Sequence, residues 1–388
     1  MSEHLRSKVV RGGAYLFIRQ FFSLGLGVVG LFIISRLIGP EGYGSYAAAL
    51  GIYYYLLNLS QIGVDVYLVR QRSVTEHEYD VGFTFLLASS VASILLVEAT
   101  ADRLADWVQI DGFEPIMRVL VFALLFQATA TAASARLERE LDYRRVALIE
   151  LIGQACYYVL AVPLALAGYG GWSLVAGWFA QMGTSWVLFH LATRYIPRVR
   201  FDWAIARDML SFTFGFSLVT WTWQLRALVN PLIVGHFAGA AAVGQIGMAI
   251  KLAEYLTFIK TIAWRLSVAA LARLQDDTAK LRSAIVQGMQ LQVLALAPVL
   301  LGFCWLSDIV VPRALGERWM PVVEVFPFIA AGYLTNALFA MHSSMLAVLR
   351  RNYEVTLFHL VHVCLFGAAT AICVPRLGLV GYFARSEA

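Results

Sequence analysis

The chain has 388 residues, of which 60% are hydrophobic and 14% carry a formal charge. The mean hydropathy of +0.70 excludes an ordinary soluble globular protein and indicates a chain that crosses a membrane many times. The net charge of +5 does not indicate nucleic-acid binding, because the basic residues form short clusters between apolar segments, where they orient a membrane protein.

Apolar segments long enough to cross a bilayer as helices recur along the whole chain, about eleven in all. They run from Gly13 to Ser35, Tyr43 to Val66, Val81 to Thr100, Ile116 to Ser134, Val146 to Ala167, Trp172 to Ala192, Met209 to Phe237, Ala241 to Ala263, Ile285 to Val311, Val322 to Leu349 and Thr356 to Val374. This pattern predicts an all-α polytopic membrane protein. Basic residues of the links concentrate on the side that carries the N-terminus, which predicts a cytoplasmic N-terminus.

The first of these spans contains a single ionisable residue, Arg19. A helix from Gly13 to Ser35 would be about 34 Å long, enough to cross the hydrocarbon core. Helical spacing puts Ser23, Gly27 and Gly30 on the face of Arg19, and small residues favour close helix packing. A lipid-facing charge at mid-membrane costs about 2.5–3.5 kcal/mol, so this face is predicted to turn toward neighbouring helices. Arg19 is then expected to meet a water-filled cavity, an anionic ligand or an acidic partner.

Acidic residues near the spans are candidates for two roles. Glu98 or Glu150 would pair with Arg19 if that arginine only holds helices together, but the cavity role is favoured because intramembrane charges usually mark transport pathways. Asp65, Glu150 and Glu254 are candidates for coupling transport to protons or sodium ions. Asp65 and Glu150 lie near the predicted cytoplasmic interface, where a carboxylate costs little, so a structural role is favoured for both.

Two further cations lie within predicted spans of the second half, Arg226 and Lys251. Pro231 follows Arg226 and removes a backbone hydrogen bond, so a kink that can serve as a hinge is predicted there. Arg226 lies in the outer third of its span, and snorkelling to the periplasmic interface is the alternative to a cavity position. Lys251 and Glu254 are three residues apart on one helix, and mutual neutralisation is favoured.

An internal repeat is visible in the sequence. The segment Gly39 to Gly44 follows the first span and Gly239 to Gly244 follows the seventh, with two glycines in matching positions 200 residues apart. Duplication is common in transporters and predicts two pseudo-symmetric lobes, residues 1–205 and 206–388. The first lobe would hold six spans and the second about five, so the second lobe is expected to lack its last helix.

Several segments resemble the signature of bacterial polysaccharide-biosynthesis flippases. They are Arg36 to Ala47, Gln61 to Gly63, Leu68 to Arg70, Leu274 to Asp277 and Leu315 to Trp319. The resemblance implies a member of the multidrug/oligosaccharidyl-lipid/polysaccharide exporter superfamily, with two six-helix lobes around a central cavity. It also implies a protein of the bacterial inner membrane that moves undecaprenyl diphosphate-linked oligosaccharides from the cytoplasmic to the periplasmic leaflet, for O-antigen, capsule or exopolysaccharide synthesis.

The cargo implied by this resemblance carries a diphosphate, which needs compensating positive charge inside the membrane. Arg19, Arg226 and Lys251 are the predicted cavity cations, and the family's use of cationic residues in the first helix favours Arg19. A guanidinium suits this role because it binds phosphate through paired donors. Membrane lipids and other proteins of polysaccharide synthesis and polymerisation are further candidate partners. No cofactor, metal or nucleic acid is predicted.

Two other functions stay open at this point. A cation-coupled multidrug exporter of the same superfamily would have a cavity dominated by acidic residues. A membrane-embedded glycan polymerase or ligase needs a large outer loop, and the longest here, from Ala101 to Pro115, is short. The dinucleotide-type motif from Gly25 to Gly30 lies within a span, and His359 and His362 lack a third metal ligand. The chain is therefore predicted not to be an enzyme.

Overall fold

The computed structural model describes residues 3–71, 73–258, 278–348 and 351–383, and within these ranges the chain forms helices and turns without strands. The predicted all-α class is confirmed. The backbone around Arg19 is helical, but the side chains of the first 19 residues lie outside the described part of the structure. The predicted loop from Leu274 to Asp277 also lies outside the described residues.

The helices follow one another with short connections. In the first half they are α1 (Glu3–Gln61), α2 (Val64–Arg70), α3 (Glu76–Val108), α4 (Phe113–Leu120), α5 (Ala123–Arg139), α6 (Tyr143–Leu166), α7 (Gly171–Thr193) and α8 (Trp203–Gln224). In the second half they are α9 (Gly235–Leu256), α10 (Thr278–Ala314), α11 (Pro321–Val348) and α12 (Asn352–Phe383). Short 3₁₀ turns occur at Leu225–Leu228 and Glu317–Trp319, and a π-helical turn at Asn230–Val234.

Two of the predicted breaks between spans are sharp bends at a single glycine whose backbone is not helical. α1 bends at Gly39, whose φ is 73°, and α9 bends at Gly239, whose φ is 78°. Glycine adopts this backbone conformation without a Cβ clash, so the chain changes direction without a loop. The predicted breaks between the first and second spans and between the seventh and eighth spans are therefore confirmed, and they fall at Gly39 and Gly239.

Helices long and apolar enough to cross a membrane number eight within the described ranges. Two of them, Gln20–Gln61 and Ser217–Leu256, have 42 and 40 residues, about twice what one crossing requires, so each accommodates two of the predicted spans. The predicted sixth span corresponds to α7, which is helical but is not among these eight. The eight helices therefore correspond to ten of the eleven predicted spans, and α7 corresponds to the remaining one.

The chain divides into two compact units. The first contains Met1–Ile38 and Ala49–Ser217, and the second contains Gly39–Ala48 and Leu218–Ala388. α1 contributes to both units, and α8 belongs to the first unit up to Ser217. Two pseudo-symmetric lobes at residues 1–205 and 206–388 stay a prediction.

The face of α1 that carries the small residues packs against α6 within the first unit. Gln154 on α6 donates a hydrogen bond of 2.9 Å to the backbone oxygen of Ser23, and the Tyr158 hydroxyl donates one of 3.3 Å to that of Gly27. A Cβ at Gly30 would overlap the Tyr158 ring. The prediction that this face turns toward a neighbouring helix is confirmed, and it is the absence of side-chain bulk that permits the contact.

The repeated glycines meet in the second unit. A Cβ on Gly44 would overlap the backbone oxygen of Ala240, and a Cβ on Gly244 would overlap that of Pro40. The backbones of α1 and α9 therefore touch at two reciprocal points, which only glycine allows. Beside this contact the rings of Tyr43 and Trp319 pack edge to face with centroids 5.7 Å apart.

Candidate functional site

The second unit contains an irregular helical segment that positions Arg226. After α8 the backbone tightens into the 3₁₀ turn Leu225–Leu228 and then widens into the π-helical turn Asn230–Val234. Pro231 lies within this segment and has no N–H to donate, so regular α-helical hydrogen bonding cannot continue through it. Such interruptions of a helix often mark functional sites. A hinge at Pro231 stays a prediction.

Arg226 is exposed and lies over an aromatic ring. Its guanidinium carbon is 4.0 Å from the ring centroid of Trp223, one helical turn earlier, a cation–π contact worth about 0.5–2 kcal/mol. On the other side Trp223 meets His359 of α12, with ring centroids 4.9 Å apart. Both His359 and His362 interact electrostatically with Arg226. The arginine is thus held by an indole beside two imidazoles.

Lys251 forms the predicted pair with Glu254 on α9. Its Nζ donates to Glu254 Oε2 at 3.0 Å, and both side chains stay partly exposed, at 40% and 48%. Tyr333 on α11 interacts electrostatically with Lys251, Glu254 and also Arg226. The structure therefore brings the two predicted cations of the second half within electrostatic range of Tyr333, and these residues are called the cluster around Tyr333 below. One carboxylate opposes two permanent cations, so the cluster keeps net positive charge.

The other predicted residues lie elsewhere. Asp65 on α2 lines a cavity of about 210 Å³ together with Arg70 and Glu138, and burial raises the pKa of its carboxyl group above the ordinary value. Glu150 is half-buried on α6. Asp65 and Glu150 belong to the first unit, whereas Glu254 is the acid of the cluster around Tyr333. For Arg19 the side chain lies outside the described residues.

Glu98, one of the two acids considered as a partner for Arg19, forms an ion pair with a different arginine. Arg118 on α4 donates to Glu98 at 2.8 Å, to Asp102 at 2.7 Å and to Glu114 at 2.9 Å. Glu98 therefore belongs to an ionic network at the end of α3 and the start of α4.

Sequence reasoning missed Tyr333 as a member of the cluster and treated His359 and His362 only as a rejected metal site. Among the described residues no group of three metal-ligating side chains is present. The spacing of the histidines on one helix face was a usable signal, since it places both beside the same neighbour. Nothing in the spacing along the chain indicated that this neighbour is Arg226.

The fold of this chain is shared with solved membrane transporters. A multidrug resistance transporter of the MATE family, of the MOP superfamily and inward-facing, matches with a TM-score of 0.75 at 13% identity, over 93% of this chain and 89% of that chain. The lipid II flippase MurJ, in an inward closed conformation, matches with a TM-score of 0.74 at 10% identity, over 95% and 83%. At these identities the likeness concerns the fold alone, which is the two-lobed helical fold of MOP-superfamily transporters.

The sequence then places the chain within a family. The model of the polysaccharide biosynthesis protein family matches residues 33–324, and the chain belongs to this family. It is 22% identical over 386 residues to the lipopolysaccharide biosynthesis protein WzxC of Escherichia coli K12, covering 97% of this chain and 77% of that protein. It is also 22% identical over 313 residues to the succinoglycan biosynthesis transport protein ExoT of Rhizobium meliloti 1021, covering 80% and 63%. The predicted family is confirmed, and the protein is a multi-pass bacterial membrane protein related to polysaccharide flippases.

Proposed function

We propose that this protein moves polyprenyl (undecaprenyl) diphosphate-linked oligosaccharide units from the cytoplasmic to the periplasmic leaflet of the bacterial inner membrane, for cell-surface polysaccharide synthesis. The family match supports the substrate class, and the relatives named as transport or biosynthesis proteins support transport rather than enzymatic chemistry. The single observation on this chain that carries the proposal is the convergence of Arg226 and Lys251 around Tyr333.

The chemistry of the cluster suits a diphosphate beside a glycan. Arg226 is permanently charged and offers paired donors that match phosphate oxygens, while Lys251 adds a point charge and is oriented by Glu254. The indole of Trp223 and the ring of Tyr333 provide apolar planes next to these charges, the combination that sugar rings pack on. In a membrane interior such charge compensation lowers the cost of moving the diphosphate out of the headgroup layer.

Transport would proceed by alternating access, with the N-terminus in the cytoplasm and Arg19 as a further cation on the path. Pro231 is the proposed hinge, because the irregular backbone around it costs less to bend than a regular helix. Asp65, Glu150 and Glu254 are the candidates for ion coupling. The lipid-linked oligosaccharide, the surrounding lipids and other proteins of polysaccharide synthesis are the proposed partners.

The test is a flipping assay. The protein is reconstituted in liposomes with an undecaprenyl diphosphate-linked oligosaccharide, and the accessibility of the glycan to an impermeant modifying reagent is followed over time. Arg226→Ala and Arg19→Ala are compared with Arg103→Ala, which removes an exposed arginine near the end of α3 and serves as the matched charge control. We expect flipping by the wild type and the control, and loss in Arg226→Ala.

Protein without flipping activity would contradict the proposed function, and wild-type flipping by Arg226→Ala at normal protein level would remove the cluster from the mechanism. Export of cationic dyes without movement of the lipid-linked oligosaccharide would instead support a multidrug exporter. The observation that favours this alternative is the fold likeness to a multidrug transporter, which is as strong as that to a lipid flippase.

A further inference from the structure

A second basic site lies in the first unit. A cavity of about 680 Å³ opens where α3 and α6 begin and where α5 and α7 end. Four arginines and two glutamates line it, namely Arg136, Arg139, Arg145, Arg194, Glu76 and Glu140. The lining therefore has an excess of positive charge, and a cavity of this size accommodates a phosphate-bearing headgroup.

Arg136 forms the fixed floor of this cavity. Its guanidinium carbon contacts two adjacent tyrosine rings, 4.2 Å from the centroid of Tyr79 and 4.1 Å from that of Tyr195. The hydroxyl of Tyr195 donates to the buried Asp80 at 3.1 Å, which holds that ring in place. A guanidinium already held against two rings loses little conformational entropy when it binds an anion, so Arg136 is preorganised for binding.

The present partner of Arg136 is a weak competitor for an anion. Glu76 accepts from Arg136 at 2.5 Å, but its side chain is 73% exposed, whereas that of Arg136 is 16% exposed. An exposed carboxylate holds its cation with little net free energy. A phosphate entering from the solvent side can therefore replace the carboxylate of Glu76 while Arg136 keeps its contacts with Tyr79 and Tyr195.

The mouth of the cavity carries arginines that can turn toward a ligand. Arg145 is 57% exposed and pairs with Asp142 at 3.3 Å on its own helix, and Arg194 is exposed at the end of α7. Arg139 has a different task, because it donates to the backbone oxygens of Leu68 at 3.0 Å and Gln71 at 2.7 Å and so fixes the end of α2. Arg136, Arg145 and Arg194 are thus the three cations that face the cavity for binding.

The position of the cavity indicates where its ligand comes from. Three of the apolar helices, Glu76–Val108, Phe113–Arg139 and Tyr143–Leu166, begin or end at its lining residues or next to them. The cavity therefore lies at the boundary between the apolar and polar parts of the helices, the depth at which lipid phosphates are found. Basic pockets between membrane helices at this depth bind anionic headgroups, and each arginine adds about 1 kcal/mol to such binding.

We propose that the cavity between Arg136, Arg145 and Arg194 is a binding site for a phosphate-bearing anion, supplied by the headgroup of an anionic membrane lipid. This site belongs to the first unit and does not rest on the proposed transport function. Occupancy of this site, and with it the contacts among α3, α5, α6 and α7, would then depend on the content of anionic lipid in one leaflet.

The test measures the dissociation constant of a fluorescent short-chain phosphatidylglycerol for the purified full chain in neutral detergent, with phosphatidylcholine as the uncharged comparison. We expect phosphatidylglycerol to bind and phosphatidylcholine not to bind. Arg145→Ala and Arg194→Ala should each weaken binding about fivefold. Glu76→Gln should tighten it, because it removes the competing carboxylate. Arg103→Ala, with the same loss of charge at the other end of α3, should leave the dissociation constant unchanged.

Inorganic phosphate is the third probe. Displacement of phosphatidylglycerol by phosphate at a comparable concentration supports the anion site and assigns it to the phosphate group without a need for acyl chains, whereas displacement only at far higher concentration supports a lipid site. Equal binding of the two lipids overturns the proposal. So does an unchanged dissociation constant in the Arg145→Ala, Arg194→Ala double variant, provided that its melting temperature matches that of Arg103→Ala.

Discussion

At the scale of single residues, Arg226 is the side chain on which the proposed function rests most directly. It is exposed, it rests on Trp223, and it shares Tyr333 with Lys251. Snorkelling alone would not require an indole on one side and imidazoles nearby. The pairing of Lys251 with Glu254 shows in turn that a cation in the cluster can be oriented by a neighbour on the same helix.

The first prediction separates charge from geometry at Arg226. We expect Arg226→Lys to retain part of the flipping rate and Arg226→Ala to lose it, because lysine keeps the charge but not the paired donors or the planar contact with Trp223. The measurement is the initial flipping rate in liposomes at equal protein content. Wild-type rates in both variants would show that neither property of the guanidinium matters, whereas equal loss in both would show that charge without the guanidinium geometry is insufficient.

The second prediction concerns Asp65, whose pKa is raised by burial. A carboxyl group with a folded-state pKa above its unfolded value stabilises the fold at low pH, and this contribution is lost as the pH rises through the folded pKa. Asp65→Asn should therefore flatten the pH dependence of the melting temperature in the acidic range and should be neutral or stabilising at pH 7. Asp106→Asn, at an exposed position, is the control.

The same Asp65→Asn variant also tests ion coupling. We expect it to retain flipping, because Asp65 lines a small cavity in the first unit and is not part of the cluster around Tyr333. Loss of flipping with unchanged melting behaviour would assign Asp65 to coupling and would contradict the structural role.

At the scale of elements, glycine determines how the helices of this protein approach one another. Gly39 and Gly239 bend α1 and α9, and Gly44 and Gly244 let these helices touch through their backbones. The same residue type performs two different tasks within each repeat, a change of direction and a close approach. Both tasks depend on the missing Cβ, one through the backbone conformation and the other through space.

The third prediction compares two glycines of α1. Gly44→Ala should destabilise the protein by about 1–3 kcal/mol, because its Cβ would meet the backbone oxygen of Ala240, which cannot move aside as a side chain can. Gly25→Ala should not destabilise it, since nothing lies within 4 Å of the added Cβ. The melting temperatures of the two variants in detergent provide the measurement. Equal melting temperatures would mean that the contact with Ala240 is not tight.

The fourth prediction concerns the irregular segment after α8. Pro231→Ala restores a backbone donor and should let a regular α-helix replace the 3₁₀ and π-helical turns. This change would rotate Arg226 relative to α9 and stiffen the proposed hinge, so we expect slower flipping with an unchanged or higher melting temperature. Faster flipping, or a rate equal to that of the wild type, would argue against a hinge at Pro231.

At the scale of the whole molecule, the distribution of charge predicts the orientation in the membrane. Arg118 and its three carboxylates lie where α3 ends and α4 begins, whereas the arginine-lined cavity lies where α3 begins and α5 ends. The two ends of these helices therefore differ in the sign of their excess charge. The positive-inside rule predicts that the cavity faces the cytoplasm.

The fifth prediction tests this orientation. In a variant whose four native cysteines are replaced, Asp111→Cys and Glu140→Cys introduce single thiols at exposed positions that flank the apolar stretch Phe113–Arg139. We expect an impermeant maleimide added from the periplasmic side to label the Asp111→Cys variant, and the Glu140→Cys variant only after the inner membrane is opened. The reverse pattern would invert the proposed topology.

The sequence alone determined the class of the protein and its family, because long apolar runs and signature segments are properties of neighbouring residues. It also predicted the pairing of Lys251 with Glu254 and the inward face of Gly27 and Gly30, since both follow from helical periodicity. The sequence did not predict which residues of different helices contact one another. Such contacts depend on how distant segments pack, and helical spacing does not encode that.

Tertiary structure decided which charges meet. It placed Arg226 and Lys251 within electrostatic range of the same residue, Tyr333, and it paired Glu98 with Arg118. It also showed that two of the breaks between spans consist of a single non-helical residue, Gly39 and Gly239, because glycine reaches a positive φ without a Cβ clash.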